Sequence, residues 1–121
     1  MIVYWSLIGN TRKLVQKLDT KSLELTWDNC LDIVVEEPFL LVSPTYAKES
    51  TDLLWDFLDH EPNRAFCRGI IGTGNRNFAH LFCYTAKDLS REYGIPLIHF
   101  LEFQGSAYDV DRIKEELEKI A

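Results

Sequence analysis

The sequence has few cysteines, no run of basic residues and no long apolar stretch. Its three cysteines are odd in number, lack Cys-x-x-Cys spacing and lie in or beside apolar segments, so we expect reduced, mostly buried thiols. The formal net charge of −6 argues against nucleic acid or an anionic membrane surface as the main partner. A protein or a small ligand is therefore the expected partner.

Membrane and export signals are also missing. The apolar stretches 39–42 and 95–103 have the length of strands and fall well short of a membrane span. Met1 leads at once into a strand pattern, without a charged segment followed by an apolar one, and we expect a cytoplasmic protein. With 121 residues, 46% of them hydrophobic, residues 1–121 are predicted to form one domain around one core.

Hydrophobic patterns predict five strands that alternate with four helices. The predicted strands are 2–5, 22–27, 39–43, 65–71 and one that starts at 95. The predicted helices are 10–19, one that begins at the N-cap types 50–52, 78–93 and one that follows Ser106. Residues 33–35 could form a further strand piece. This alternation indicates an α/β fold, a three-layer α/β/α sandwich with a five-stranded parallel sheet.

The predicted strand order is 2-1-3-4-5, the flavodoxin-like order, because right-handed crossovers leave few other layouts. In that order the ends of the first, third and fourth strands lie side by side. Three polar loops would therefore converge, and one ligand could contact all of them.

The first of these loops, after Trp5, has the composition of a phosphate-binding turn. Ser6 and Thr11 offer hydroxyl groups, Gly9 allows close backbone approach, and a helix that starts near Asn10 offers unpaired amides. Neither the Walker sequence nor the dinucleotide fingerprint is present, which favours a mononucleotide phosphate. An ordinary capped turn between strand and helix would have the same composition.

The other two loops suit a flat heteroaromatic ligand such as a flavin. Tyr46 could stack on a ring, and Asn75 and Asn77 could pair with its polar edge. Tyr46 or Phe78 could instead be core aromatics, and Arg76 could be a solvated charge or face an anionic group.

Side-chain catalysis and metal binding have little support. His60, His80 and His99 are far apart in the sequence and lack a metal-ligand spacing or a neighbouring nucleophile, so we expect structural roles. A receiver domain would need carboxylates after the first and third strands, where this chain has Trp5-Ser6 and Ser43-Pro44.

The sequence resembles the NrdI proteins, flavodoxin-like partners of class Ib ribonucleotide reductase, over nearly its whole length. The resemblance rests on four segments: 4–12, 43–46, 69–78 with its specific Gly-Asn-Arg-Asn-Phe run, and 102–106. By this resemblance the protein should bind FMN, with the contacts made by Ser6, Leu7, Ile8, Gly9, Asn10, Thr11, Pro44, Thr45, Tyr46, Ala47, Gly74, Asn75, Asn77 and Phe78.

The resemblance also implies a reaction and its partners. The reduced flavin, supplied by an unidentified electron donor, should react with O₂ to give superoxide for the dimanganese centre of the reductase small subunit. The flavin rather than a side chain would carry the redox chemistry. The alternatives are a general one-electron flavodoxin and an interaction domain without flavin.

Two positions depart from the family pattern. Ile8 stands where members often have Ser or Thr, which removes one hydroxyl from the phosphate loop. Residues 47–50 stand where members often have a glycine-rich loop, and residues other than glycine restrict the backbone there.

Overall fold

A computed structural model of the chain describes residues 1–45, 48–75 and 83–120, without the side chains of 48–50. Five strands are present in these residues: β1 (Ile2–Trp5), β2 (Ser22–Leu25), β3 (Phe39–Ser43), β4 (Cys67–Gly74) and β5 (Leu97–Glu102). The helices there are α1 (Asn10–Leu18), α2 (Lys48–Asp59), α3 (Asn63–Phe66), α4 (Tyr84–Tyr93) and α5 (Ala107–Ile120).

The five strands form one parallel sheet in the order β2-β1-β3-β4-β5. The predicted fold class and strand order are therefore confirmed. β1 and β3 are buried at every position, as expected for strands covered on both faces, whereas the edge strand β2 is partly exposed.

Helices cover both faces of this sheet. α1 and α5 pack on one face over Ile2, Leu40 and Ile71, and Leu14 and Ile113 close this half of the core. The other face is covered by α2, α4 and the connection 26–38, which enclose a second apolar cluster.

The connection 26–38 contains no strand, so the expectation of a strand piece at 33–35 was wrong. The buried amide of Asn63 occupies the backbone groups that a strand would pair. Its Oδ1 accepts the N–H of Val35 at 2.7 Å, and its Nδ2 donates to the carbonyls of Ile33 at 2.8 Å and Phe57 at 3.0 Å. Asn63 also opens α3, a single turn of helix that periodicity did not predict.

β4 begins and ends later than the predicted strand 65–71. Ala65 and Phe66 belong to α3, and Gly72, Thr73 and Gly74 continue the strand instead of starting a loop. Gly72 is needed where α4 approaches the sheet closely. A Cβ atom there would lie 2.9 Å from the Cβ of Ala86 and 3.0 Å from the Cβ of Cys83. Glycine in this case marks a packing contact within a strand.

Most helix ends follow the sequence signals. Gly94 ends α4 in the left-handed conformation, with its N–H donated to the carbonyl of Ser90 at 2.9 Å. Ser106 and Asp109 form the expected capping box at the start of α5, since each side chain accepts the backbone N–H of the other residue. α2, however, begins at Lys48, before the predicted cap types at 50–52. α4 begins at Tyr84 rather than at 78, since Cys83 before it adopts the left-handed conformation with φ +56°.

A helix long and apolar enough to span a bilayer is absent from residues 1–45, 48–75 and 83–120.

Candidate functional site

The carboxyl ends of β1, β3 and β4 are adjacent at one edge of the sheet. β1 ends at Trp5, β3 at Ser43 and β4 at Gly74, and Ser43 pairs in register with Gly72. The predicted contacts in the described residues follow these strands directly and are brought together at this edge: Ser6, Leu7, Ile8, Gly9, Asn10, Thr11, Pro44, Thr45, Gly74 and Asn75. Tyr46, Ala47, Asn77 and Phe78 lie outside the described residues.

The turn between β1 and α1 is organised by the hydroxyl group of Ser6. Its Oγ accepts the backbone N–H of Gly9 at 3.1 Å and that of Arg12 at 3.2 Å. Gly9 adopts φ +98°, a left-handed conformation that other residues rarely take. Leu7 and Ile8 are turned outward, with exposures of 47% and 70%. The two apolar side chains are therefore exposed, and the turn's polar groups lie on its inner side.

The first turn of α1 offers amide donors without competing carboxylates. Its first helical hydrogen bond runs from Lys13 N–H to the carbonyl of Gly9 at 3.0 Å, and the amide of Arg12 is donated to Ser6 Oγ. The amides of Asn10 and Thr11 therefore lack helical partners. No acidic residue lies in this turn, and Thr11 heads the buried stripe of the helix. Together with Ser6 and Gly9, these groups form what we call the phosphate cradle, residues 6–12.

Arg12 is held at the outer side of the cradle by an ion pair that the sequence patterns did not predict. Its Nε and Nη2 each donate at 2.8 Å to a carboxylate oxygen of Glu24, and the hydroxyl of Tyr4 donates to Oε1 at 2.9 Å. The hydrogen bond from Arg12 is the main cause that lowers the pKa of Glu24. Burial, followed by the bond to Glu24, raises the pKa of Tyr4.

A signal for this ion pair existed in the predicted strand order. Tyr4 and Glu24 are register partners on adjacent strands, so their side chains point to the same face. Arg12, in the first turn of the next helix, lies on that face as well. Helical periodicity alone would place Arg12 on the solvated surface of α1, opposite Leu14 and Leu18.

The second and third loops are tied to one another. Thr45 Oγ1 donates to the carbonyl of Thr73 at 2.6 Å, which fixes the start of the loop after β3 to the end of β4. Pro44 is buried, and its carbonyl accepts the Ser43 hydroxyl at 3.1 Å. Asn75, just past Gly74, is half-buried. The two loops therefore start from a common, rigid part of the sheet edge.

The described histidines have structural contacts, and the cysteines are buried. His60 Nδ1 lies 2.7 Å from the carbonyl of Leu31, and His99 Nε2 lies 2.7 Å from Asp109. His80 lies outside the described residues. The three cysteines are buried as predicted and are not joined in disulfide bonds, and burial raises the pKa of Cys67 to about 12. Within the described ranges, no three His, Cys, Asp or Glu residues are close enough together to hold a metal ion.

Comparison with known proteins gives consistent similarities. The sequence matches the NrdI flavodoxin-like family model over residues 2–115. It is 35% identical to the NrdI proteins of Brucella ovis, Brucella canis and Brucella suis, over 98% of this chain and 93% of each relative. The structure is similar to that of a short-chain flavodoxin associated with a bacterial microcompartment, with a TM-score of 0.60, 15% identity, and coverage of 98% and 93%.

Proposed function

The chain belongs to the NrdI flavodoxin-like family, and from this premise we propose that it binds FMN and acts as the redox partner of a class Ib ribonucleotide reductase. The observation that carries the proposal is the phosphate cradle at the carboxyl edge of the sheet. Ligands of open α/β sheets bind at this edge, where the ends of the strands meet.

The donor set of the cradle fits a phosphate monoester. The Ser6 oxygen accepts two backbone N–H groups, which leaves its own hydrogen as a donor. Gly9 has open space beside its Cα atom. If a Cβ atom were added there, its nearest neighbour would be Arg12 Nη1 at 3.9 Å. Amides at a helix start favour a doubly charged phosphate through hydrogen bonds and the helix dipole.

We assign the phosphate to Ser6, Gly9, Asn10 and Thr11, with Leu7 and Ile8 in the same turn. The flavin ring is assigned to the two following loops, through Pro44, Thr45, Tyr46, Ala47, Gly74, Asn75, Asn77 and Phe78. The hydrogen bond from Thr45 to Thr73 supports this assignment because it holds the starts of both loops together. Residues on such a fixed edge can orient a ring without a large movement.

Bound FMN in its reduced form would supply the electron that converts O₂ to superoxide, the oxidant for the dimanganese centre of the reductase small subunit. The chain's own residues bind the phosphate and orient the loops that contact the ring. An electron donor would reduce the cofactor again.

The phosphate assignment is tested by substitution of Thr11. Thr11→Val should weaken FMN binding by roughly 1.5 to 3 kcal/mol, the value of a hydrogen bond to a charged group, and riboflavin binding far less. Flavin fluorescence titrations of both ligands measure the difference. Thr20→Val, at the other end of α1, is the matched control and should leave both affinities unchanged. Equal losses for FMN and riboflavin would place the phosphate elsewhere.

The activation role is tested with the partner present. Anaerobically reduced protein with FMN is mixed with manganese-loaded small subunit, O₂ is admitted, and assembly of the oxidised cofactor is followed. We expect assembly well above a flavin-free control. Its absence would favour a general one-electron flavodoxin, and failure of FMN to bind at all would leave an interaction domain. Superoxide dismutase in a parallel sample reports whether the oxidant leaves the complex.

A further inference from the structure

A groove with a volume of about 910 Å³ lies between α2 and α4, and Trp27 contributes to its wall. We call it the α2–α4 groove. Its volume is in the range of ligand-binding clefts. The described residues of the phosphate cradle, including Ser6 and Gly9, do not line it. The groove is therefore distinct from the phosphate cradle.

Aromatic side chains from three segments line this groove. Trp27 of the connection 26–38 is 51% exposed, and its ring packs edge-on against Trp5 with the centroids 6.3 Å apart. Trp55 comes from α2, where its indole N–H donates to Glu92 of α4, and Tyr84 begins α4. Aromatic rings held in this way attract cations through their faces.

The charge of the groove has the sign that complements a cation. Among the described residues that line it are four carboxylates and one guanidinium, that of Arg91, which pairs with Asp88 at 3.4 Å. Asp52 and Asp56 have no hydrogen bond or ion pair in the described part of the chain, although both are half-buried. Their spacing of four residues on α2 places like charges side by side, which disfavours the helix unless a cation compensates them.

Thr85 gives an independent indication of a ligand. It lines the groove and is 1% exposed, and its Oγ1 has no hydrogen-bond partner among the described residues. Buried hydroxyl groups are nearly always paired, because an unpaired one loses its bonds to water without replacement. A polar group of a bound molecule would supply the missing partner.

The arrangement fits an extended cation better than a metal ion. In residues 1–45, 48–75 and 83–120, no three carboxylate, imidazole or thiol side chains are close enough to share a metal ion. The carboxylates instead share two helices with aromatic rings, since Asp52 and Asp56 flank Trp55 on α2 and Tyr84 lies on α4 with two further carboxylates. Arginine and lysine side chains bind both kinds of group, since their cationic ends pair with carboxylates and pack on rings.

We propose that the α2–α4 groove binds an arginine- and lysine-rich extended segment of a partner protein. The cationic side chains pair with Asp52 and Asp56 and lie on Trp27, while a backbone or side-chain polar group pairs with Thr85. The site is separate from the phosphate cradle, so this binding does not require FMN. The net charge of −6 assists the encounter.

The test uses a short blocked peptide of alternating arginine and glycine as the probe. Titration calorimetry, with tryptophan fluorescence in parallel, measures its affinity at low and at physiological salt. The double variant Asp52→Asn/Asp56→Asn should bind about tenfold more weakly, since two charge pairs are lost. The matched control, Asp111→Asn/Glu118→Gln, removes the same charge from the exposed side of α5 and should change the affinity less than about twofold.

Thr85→Val distinguishes a binding role from a structural one. The valine removes an unpaired buried hydroxyl, so the melting temperature should stay the same or rise while peptide binding weakens several-fold. Three results would each overturn the proposal: no peptide binding to the unmodified protein, equal weakening in the control double variant, or displacement of the peptide by saturating FMN. The last result would assign the groove to the flavin site. A titration with FMN alone tests the proposed flavin binding independently, so its failure can be distinguished from failure of the peptide proposal.

Discussion

Among single residues, Ser6 contributes most to the geometry of the cradle. Its oxygen holds two backbone amides that otherwise lack partners, one from Gly9 and one from the first turn of α1. Ser6→Ala should lower the free energy of unfolding by about 0.5 to 2 kcal/mol, the usual loss for a helix cap, and should weaken FMN binding as well. Urea denaturation and FMN titration measure the two effects.

Ser106→Ala is the control for this variant. Ser106 caps α5 by accepting the N–H of Asp109, so its loss should reduce stability by a similar amount and leave FMN affinity unchanged. A Ser6→Ala protein with reduced stability and full FMN affinity would show that Ser6 caps the helix without binding the phosphate.

The ion pair of Glu24 and Arg12 makes part of the stability dependent on pH. The pKa of Glu24 is lowered from its ordinary 4.5, chiefly by the hydrogen bond from Arg12, so the folded state prefers the ionised form. This contribution is complete above pH 4.5 and is lost as the pH falls through the depressed pKa.

Glu24→Gln should therefore lower the melting temperature near neutral pH, and the difference from the unmodified protein should shrink in acid. Melting curves at a series of pH values measure it. The same substitution releases Arg12, whose Nη1 is close to Gly9, so the preference for FMN over riboflavin should increase. A difference in melting temperature that is constant with pH would contradict the assigned ion pair.

The elements that sequence predicts best are those set by local patterns. β1 and β3 follow from uninterrupted apolar runs, and α5 follows from Ser106 and Asp109 together with Val110 and Ile113. These signals lie within a few residues of one another, so they do not depend on the rest of the fold.

Features that depend on distant partners were missed or misplaced. Gly72 looked like part of a loop because it begins a run of polar and glycine residues. It is needed for close packing against Ala86 of α4, a contact that the local sequence does not indicate. Residues 33–35 looked like a strand because they are apolar and β-branched. Their hydrogen bonds to Asn63 span 28 residues or more, so no local pattern indicates them. In the candidate site, Ser6 and Gly9 could be named from composition, whereas Glu24 required knowledge of which strand lies beside β1.

Gly72→Ala tests the close packing of α4 against β4. A Cβ atom would lie 2.9 Å from Ala86, and overpacking of this kind costs about 1 to 3 kcal/mol of stability. Gly69→Ala is the comparison, since a Cβ there would meet the flexible side chains of Ile98 and Leu40 at 3.1 Å or more. Chemical denaturation should show the larger loss for Gly72→Ala. Equal losses would mean that α4 moves away easily.

For the whole molecule, net charge governs the approach of an anionic ligand. The protein carries −6 and FMN carries a phosphate dianion, so long-range repulsion slows their encounter. The association rate of FMN, measured by stopped-flow fluorescence, should rise with added salt, and that of uncharged riboflavin should stay nearly constant. A rate that falls with salt would mean that Arg12 and the start of α1 dominate the local field.

The buried cysteines have a consequence for chemical durability. A protein that forms superoxide would expose its own sulfur atoms to repeated oxidation, and oxidants attack thiolates far faster than thiols. Here all three thiols are shielded from solvent, and the pKa of Cys67, raised to about 12, keeps it protonated at neutral pH. Met1, the single methionine, is the remaining sulfur, at the chain end. Peptide mass mapping after many turnovers should therefore find oxidation at Met1 long before any cysteine, and the protein should keep working without added reductant to protect its thiols.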